Sequence, residues 1–337
     1  MKRFVAFILS AIMILSIGTI LAGCGTKEEE AVTIRVGAMA GPTSMGLVKL
    51  MSDSESGLTK NAYDFADLTN DASSLVAPIA KGELDIAAVP SNLASNIYNN
   101  TDGSIQIIAV NVLGVLNLVE RGESISSISD LKGKSIYATG QGAVPEYIIR
   151  YILSGNGLNP DTDVNIIWCS DTTEALAYVS EVSDSIAILP QPFVTAAAAK
   201  VESTKTKDEP SLRVVADLND EWERINPACN IVTGVLVVRK EFAEKYPQQL
   251  NTFIEEFTAS AEYANTDVVG TAELTVKYGI VAAEGIAQKA LPECHIVSMT
   301  GVEMKNSVEG FLQILYDMEP KAVGGEMPGS DFYYGVK

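Results

Sequence analysis

Apolar and polar positions follow two different periods along the chain. Runs rich in β-branched residues, such as VTIRVGAM at 32–39 and LDIAAVP at 84–90, have the length and composition of buried strands. Between such runs, segments such as SNLASNIYNN at 91–100 space their apolar residues as amphipathic helices do. This alternation continues almost to the C-terminus. It predicts an α/β fold with parallel or mixed sheets that are covered by helices.

The order of elements restarts in the middle of the chain. The run KSIYAT at 134–139, the loop Gly140-Gln141-Gly142 and a following amphipathic helix repeat the order of the opening stretch VGAMAGPTSM at 36–45. Residues 75–95 and 175–197 also share an order of helix, polar break, strand ending in proline, and helix. Chance similarity between short βα units is the alternative. If the similarity is an internal duplication, it predicts two similar α/β lobes that face one another.

The last third of the chain has too few strands to form a lobe alone. It contains one strand, predicted at Ile231 to Val238, and then mostly helix, with helices predicted at Val268 to Tyr278, Glu284 to Ala290 and Val302 to Met318. We therefore expect it to return to the first lobe. The predicted division is lobe 1 at 32–115 plus 232–337, lobe 2 at 116–231, and hinge crossings near 112–120 and 226–234.

The N-terminus has the order of an export signal. Lys2 and Arg3 precede an apolar run from Phe4 to Ala22, and the sequence LAGC that ends at Cys24 resembles the bacterial lipobox, in which the cysteine is lipidated. We predict a lipoprotein signal peptide at 1–23 and a polar tether at 24–31. A retained transmembrane anchor is the alternative. Either would place the remaining chain outside the cytoplasm, held to a membrane.

Charge and cysteine content narrow the classes of function. The formal charge is −19, and it becomes −21 without residues 1–23, whose only charged side chains are Lys2 and Arg3. Such acidity argues against binding nucleic acid or lying flat on anionic lipid.

No CxxC pair is present and the sequence has one histidine, which favours neither a metal site nor a cofactor. Cys229 and Cys294 form either a disulfide or two separate thiols.

Four segments carry a resemblance to a known family. Together with the lipobox, they resemble the solute-binding lipoproteins of bacterial ABC importers, in the group that serves sulfonate, nitrate, taurine and thiamine-pyrimidine-precursor transporters. The likeness covers nearly the whole mature chain and implies a two-lobed type II periplasmic binding protein fold, each lobe a mixed sheet flanked by helices. Two details depart from the common pattern, namely the loop Gly140-Gln141-Gly142 and the run EVSDSIAILP without a glycine. The segments are 36–45, 81–90, 128–168 and 232–257.

In a fold of this kind the ligand lies between the lobes, against strand ends and helix N-termini. A tight turn with Thr43 or Ser44 as helix N-cap is the plain structural reading of the first such loop. Helix N-termini favour an oxyanion, but the loops contain no lysine or arginine, and Asp171 suits an amine or a heterocycle. The solute class therefore stays open. The candidate ligand-binding residues are Gly41, Pro42, Thr43, Ser44, Met45, Ser91, Asn92, Thr139, Gln141, Gly142, Asp171 and Gln191.

The expected function is a non-catalytic one. We predict a monomeric, lipid-anchored extracytoplasmic receptor that captures a small organic solute and delivers it to the membrane subunits of an ABC permease. The expected solute is a sulfonate, a nitrate-like oxyanion or a pyrimidine precursor of thiamine. A ligand-sensing lipoprotein that serves a membrane receptor is one alternative. An enzyme on the same fold is another, although no pair of nucleophile and base is visible in the sequence.

Overall fold

The computed structural model describes residues 32–336. The predicted signal peptide, the lipidated Cys24 and the tether lie outside the described residues. The strands are β1 Thr33–Ala38, β2 Ala62–Phe65, β3 Ile86–Pro90, β4 Ile105–Val112, β5 Leu116–Glu120, β6 Ser135–Ala138, β7 Asn165–Trp168, β8 Ile186–Pro190, β9 Arg213–Asp217, β10 Gly234–Arg239 and β11 Ile296–Met299. The helices are α1 Pro42–Met45, α2 Val48–Glu55, α3 Val76–Ala80, α4 Ser91–Asn100, α5 Val144–Gly155, α6 Thr172–Glu181, α7 Phe193–Thr204, α8 Leu218–Ile225, α9 Lys240–Lys245, α10 Pro247–Thr266, α11 Val268–Lys277, α12 Glu284–Ala290 and α13 Gly301–Met318.

The strands form two mixed sheets. The first sheet has the order β11-β4-β10-β3-β1-β2, with β1 parallel to β3, and β10 antiparallel to both β3 and β4. The second sheet has the order β7-β6-β8-β5-β9, with β6 parallel to β7 and β8, and β5 antiparallel to β8 and β9. Helices flank both sheets. The predicted fold class, an α/β fold with mixed sheets, is confirmed.

A short connection joins the two sheets. The apolar run at 104–121, read from the sequence as one β-rich stretch, is two strands, because β4 ends at Val112 in the first sheet and β5 begins at Leu116 in the second. Only three residues lie between them, and this length spans at most about 14 Å. Val112 pairs with Gly234, and Leu116 pairs with Pro190. The side of the first sheet at which β3 ends and the side of the second sheet at which β8 ends are therefore close neighbours. We call each of these sides the edge of its sheet.

Several predicted boundaries were wrong for physical reasons. Strand β9 and helix α8 were not predicted, because β9 is short and only partly buried, and most of the α8 residues are polar. Strand β10 begins at Gly234 and not at Ile231, since residues 226–233 connect the sheets. The helix predicted over residues 44–51 is two helices, α1 and α2, which Gly46 and Leu47 separate.

Trp222 of α8 connects the apolar cores of the two sheets. Its ring is fully buried, 4.2 Å from the ring of Tyr151 in α5 and 5.5 Å from that of Phe311 in α13. The indole N–H donates a hydrogen bond of 2.9 Å to the carbonyl of Cys229, which lies in the second connection between the sheets. Helices α5 and α13 follow strands of different sheets, β6 and β11. Trp222 therefore holds the second connection, residues 226–233, in place beside the apolar cores of the two sheets.

The disulfide left open by the sequence is not formed. Within residues 32–336, Cys229 and Cys294 are free thiols with different neighbours. The thiol of Cys294 donates to the carbonyl of Ala290 at 3.1 Å, whereas Cys229 lies beside Gly310 of α13. Burial raises the pKa of Cys229 to about 11 and that of Cys294 to about 12. Both groups are therefore protonated thiols that fill apolar space.

Among residues 32–336, no helix has the length and apolar character needed to span a membrane.

We predict that Trp222→Ala lowers the free energy of unfolding by about 3–5 kcal/mol, because it leaves a large cavity between the two cores. Trp222→Phe keeps most of the ring contacts and loses the bond to Cys229, so its cost should be about 1–2 kcal/mol. Urea denaturation followed by circular dichroism measures both values. Equal costs for the two variants would contradict the packing role of the indole.

Candidate functional site

The turn after β1 begins a helix at a glycine. Gly41 is the N-cap of α1 and has φ 102°, a conformation that a residue with a Cβ rarely adopts. Pro42 occupies the first helical position, which its fixed φ suits. The expectation of Thr43 or Ser44 as N-cap was wrong, because the proline starts the helix before them. Thr43, Ser44 and Met45 are all buried, and the Ser44 hydroxyl donates to the carbonyl of Gly41 at 3.1 Å.

Asn111 holds this turn against the end of the first sheet. Val112 pairs with Gly234, and Val110 pairs with Val235, so Asn111 is the additional residue of a β-bulge in β4. Its Nδ2 donates to the carbonyl of Thr43 at 2.7 Å. Its Oδ1 lies so close to Gly234 that a Cβ there would approach to 2.6 Å. The side chain is 1% exposed, and Oδ1 has no hydrogen-bond partner among the described residues.

The turn between β3 and α4 uses its polar groups within the chain. The hydroxyl of Ser91 is buried and donates to the carbonyl of Val232 at 2.6 Å. The side-chain amide of Asn92 donates to the carbonyl of Ala322 at 3.4 Å, and Asn96, one turn later, donates to the same carbonyl at 2.9 Å. Ser91 and Asn92 therefore fix this edge to the second connection and to the C-terminal segment.

Two turns of the second sheet carry carboxylates at their helix N-termini. After β6, Gln141 is exposed, Thr139 is half-buried, and the N–H of Gly142 donates to Glu146 at 2.7 Å. After β7, the exposed Asp171 accepts the N–H of Glu174 at 2.9 Å. Glu174 in turn accepts the N–H and the hydroxyl of Ser170 at 2.7 and 2.8 Å, which lowers its pKa. Asp171 is therefore the side-chain N-cap of α6, and Glu174 pairs with the residue that precedes this cap.

Gln191 joins the end of β8 to the short connection between the sheets. Its backbone N–H donates to the carbonyl of Val115 at 3.0 Å. Its side chain is 4% exposed, and Oε1 accepts the hydroxyl of Thr195 at 3.0 Å. The position of Gln191 therefore depends on both the connection and the first turn of α7.

Gly114, in the short connection, contacts residues from both sheets. The ring Nδ1 of His295, next to β11, donates to the carbonyl of Gly114, and His295 accepts the N–H of Leu113 at 3.2 Å. From the other side, Asn219 of α8 packs so closely that a Cβ on Gly114 would lie 2.8 Å from its Oδ1. Asn219 is 8% exposed, and its Oδ1 has no partner in the part of the chain that the structure describes. Burial raises the pKa of Asp217, which lies two residues before Asn219, and the charge of His295 acts in the opposite direction and lowers this pKa.

The cations nearest in sequence to these turns are paired. Lys49 lies 2.5 Å from Asp53, and its ammonium stands over the ring of Tyr263. Arg150 pairs with Glu146 at 2.7 Å and with Asp161 at 2.8 Å. Over residues 32–336, no group of histidine, cysteine, aspartate and glutamate side chains has an arrangement that could hold a metal ion.

The predicted site residues fall at the two neighbouring sheet edges. Residues 41–45, Ser91 and Asn92 lie at the first sheet, and the other five lie at the second. Sequence reasoning missed Asn111, Gly114, Asn219 and Gly234, which lie where the connections meet the sheets. The signal for Asn111 was present, since it is a lone amide in the apolar run IIAVNV. Asn219 had no such signal in the polar segment around it.

Comparisons with known proteins agree with this architecture. Residues 103–267 match the family model described as NMT1/THI5 like. An ABC transporter structure from Parabacteroides distasonis is similar at a TM-score of 0.74 and 25% identity, over 90% of this chain and 99% of that one. The periplasmic aliphatic sulphonate-binding protein SsuA from Escherichia coli has a TM-score of 0.69 at 15% identity, over 88% and 91%. The periplasmic nitrate-binding protein NrtA from Synechocystis has a TM-score of 0.52 at 12% identity, over 75% and 69%.

None of the curated proteins matches the sequence. The resemblance inferred from the sequence is nevertheless confirmed by the family model and by the structural neighbours. The chain has the fold of ABC-transporter solute-binding proteins, the periplasmic binding protein-like type II fold.

We predict that Gly234→Ala destabilises the protein by about 1–3 kcal/mol, because the new methyl group would collide with the amide of Asn111. In the double variant Gly234→Ala, Asn111→Ala the collision is absent, so its cost should be smaller than the sum of the two single costs. A double-mutant cycle by urea denaturation gives the coupling. Additive costs would mean that the amide moves away without strain.

Proposed function

We propose that this chain is the extracytoplasmic, lipid-anchored solute-binding component of an ABC importer. The observation that carries the proposal is the meeting of two mixed sheets across the three-residue connection 113–115, with polar turns at both edges. Ligands of open α/β sheets bind outside the carboxyl ends of the strands, and here two such edges lie together. The structural neighbours, which are transport proteins by their descriptions, support the same reading.

The proposed lobes are 32–115 plus 232–337, and 116–231. Strands β1–β4, β10 and β11 form one sheet and β5–β9 form the other, which supports this division. The connections 113–115 and 226–233 lie within the proposed hinge ranges near 112–120 and 226–234. A solute that contacts both edges would favour a closed arrangement, because it makes its full set of contacts only there.

The proposed protein is a monomeric receptor with no catalytic role and no cofactor, and its partners are a small solute and the permease subunits. The solute is a sulfonate, a nitrate-like oxyanion or a pyrimidine precursor of thiamine, the classes that the resemblance implies. A sensory lipoprotein would use the same cleft, so the gene of a neighbouring permease distinguishes the two functions. An enzyme on the same fold is the less favoured alternative, because the sequence shows no pair of nucleophile and base.

The first test is a thermal-shift screen of the chain from residue 25 onward against sulfonates, nitrate, taurine, pyrimidines and amino acids. A solute at one hundred times its Kd should raise Tm by about 5 °C, because it binds only the folded state. Small-angle X-ray scattering with the same solute should give a smaller radius of gyration. A Tm shift without compaction would contradict lobe closure, and no shift with any solute would contradict the receptor function.

We predict that Gln141→Ala weakens binding of the solute found in that screen by about fivefold, the effect of one lost hydrogen bond. Gln141 is exposed on the loop after β6, so the variant should keep the Tm of the wild type in the absence of solute. Gln313→Ala, which also removes an exposed glutamine side chain, is the matched control. Isothermal titration calorimetry measures both. Unchanged affinity in Gln141→Ala would remove this side chain from the site.

A further inference from the structure

The only histidine of the sequence, His295, holds the short connection between the sheets at two successive residues. Its ring Nδ1 donates to the carbonyl of Gly114, and its backbone carbonyl accepts the N–H of Leu113 at 3.2 Å. Its φ is 44°, in the left-handed region that residues other than glycine seldom adopt. In this conformation, immediately before β11, both the ring and the carbonyl of His295 reach the connection.

The bond to Gly114 determines which nitrogen of the imidazole can gain or lose a proton. A backbone carbonyl only accepts hydrogen bonds, so Nδ1 carries a hydrogen in both the neutral and the charged ring. Nε2 is therefore the nitrogen that takes up the second proton. Histidine rings in general change their charge between about pH 5 and 8, and a charged donor makes a stronger hydrogen bond than a neutral one. Protonation of His295 should therefore tighten its hold on Gly114.

A carboxylate of the second sheet reaches the same residue of the connection. Asp217 ends β9 and accepts the N–H of Asn219 at 2.7 Å, at the N-terminus of α8. The side chain of Asn219 in turn packs against Gly114. Burial raises the pKa of Asp217, while its bond from Asn219 and the charge of His295 lower it. The imidazole and the carboxylate therefore interact across the junction of the two sheets.

Further carboxylates make this junction acidic. Asp220, in the first turn of α8, and Glu293, two residues before His295, carry charges that raise the pKa of Asp217. Both therefore add negative charge around the carboxylate that interacts with the imidazole. The charge of His295 acts on this carboxylate in the opposite sense, so a protonated ring supplies positive charge to an acidic junction.

The backbone elements beside His295 contribute no charge of their own. Residues 112–115, which end β4 and form the connection, and residues 296–299 of β11 contain only uncharged side chains. Helix α10 meets β11 through the neutral amide of Asn265, which donates to the carbonyl of Ile296 at 2.9 Å. A protonated His295 therefore faces the carboxylates named above, and attraction to them adds to its bond with the connection.

We propose that His295 is a proton-controlled latch between the two sheets. In its charged form it binds the carbonyl of Gly114 more strongly and attracts Asp217, so the sheets are held together at the connection. In its neutral form this attraction is lost and the hydrogen bond is weaker, so the connection moves more freely. The proposed lobes would turn about this connection on closing, and the latch makes that movement dependent on pH.

Two conservative variants remove one charge each and test the latch without any solute. Asp217→Asn keeps an oxygen that can accept the N–H of Asn219, since asparagine caps helices as well as aspartate does. His295→Asn keeps a residue that tolerates a positive φ and has a side-chain N–H donor, but it has no charge at any pH. The wild type, the two single variants and the double variant form a cycle in which the contributions of distant titrating groups cancel. Circular dichroism measures the Tm of each chain at about pH 6 and at about pH 8.5, on either side of the histidine range, at constant ionic strength.

The change in Tm caused by Asp217→Asn is the quantity to compare. At about pH 6 it should be more unfavourable by about 2 °C in the chain that keeps His295 than in the His295→Asn background, because only the former loses an ion pair. At about pH 8.5 the two changes should be equal, since the imidazole is neutral. Equal changes at both pH values would overturn the latch. A difference of the same size at both pH values would overturn it as well, because contacts and not charge would then cause the coupling.

Hydrogen exchange tests the movement of the connection in the unaltered chain, so the inference stays testable where a variant does not fold. The N–H of Leu113 donates to the carbonyl of His295, and its exchange therefore reports release of the latch. After correction for the intrinsic effect of pH, its protection relative to the N–H of Ala87, in the buried strand β3, should be about fivefold higher at about pH 6 than at about pH 8.5. An unchanged ratio contradicts the latch. Neither measurement uses a solute, so failure of this inference leaves the receptor function standing.

Discussion

The three-residue connection from Leu113 to Val115 constrains everything else in this molecule. Because it is so short, the end of β4 and the start of β5 have to lie side by side, and the turns at the ends of β3 and β8 come with them. His295 and Asn219 then meet the same residue, Gly114, from opposite sheets. A longer connection would allow a larger distance between the end of β4 and the start of β5.

The sequence was informative where local patterning decides the structure. Strand β3 is apolar throughout and helix α12 is amphipathic between clear boundaries, and both were predicted closely. Asn219 and Gly234 were not predicted as site residues, because their role depends on which segments of the chain meet in three dimensions. The burial of Met45 likewise follows from a proline that starts α1 early, together with the packing of that turn against the sheet. Long-range contacts, and not propensities, distinguish these residues.

A shared fold leaves the chemistry of the cleft free to vary. The backbone arrangement of strand, turn and helix N-terminus supplies N–H groups in any protein of this architecture. In this chain, Glu146, Asp171 and Glu174 satisfy such groups from within, at the turns after β6 and β7. The side chains in the first turn of each helix therefore decide which of these N–H groups remain unpaired within the chain.

The place of β10 in the first sheet also determines the order in which the chain can fold. Strand β10 lies between β3 and β4, although it follows them by more than one hundred residues in the sequence. The second sheet is built from one continuous stretch, β5 to β9, and has all of its strands before β10 is made. The first sheet stays split into two parts with unpaired edges until residue 239 has arrived, and such edges invite mispairing. Completion of the cleft is therefore a late event in the life of each new chain.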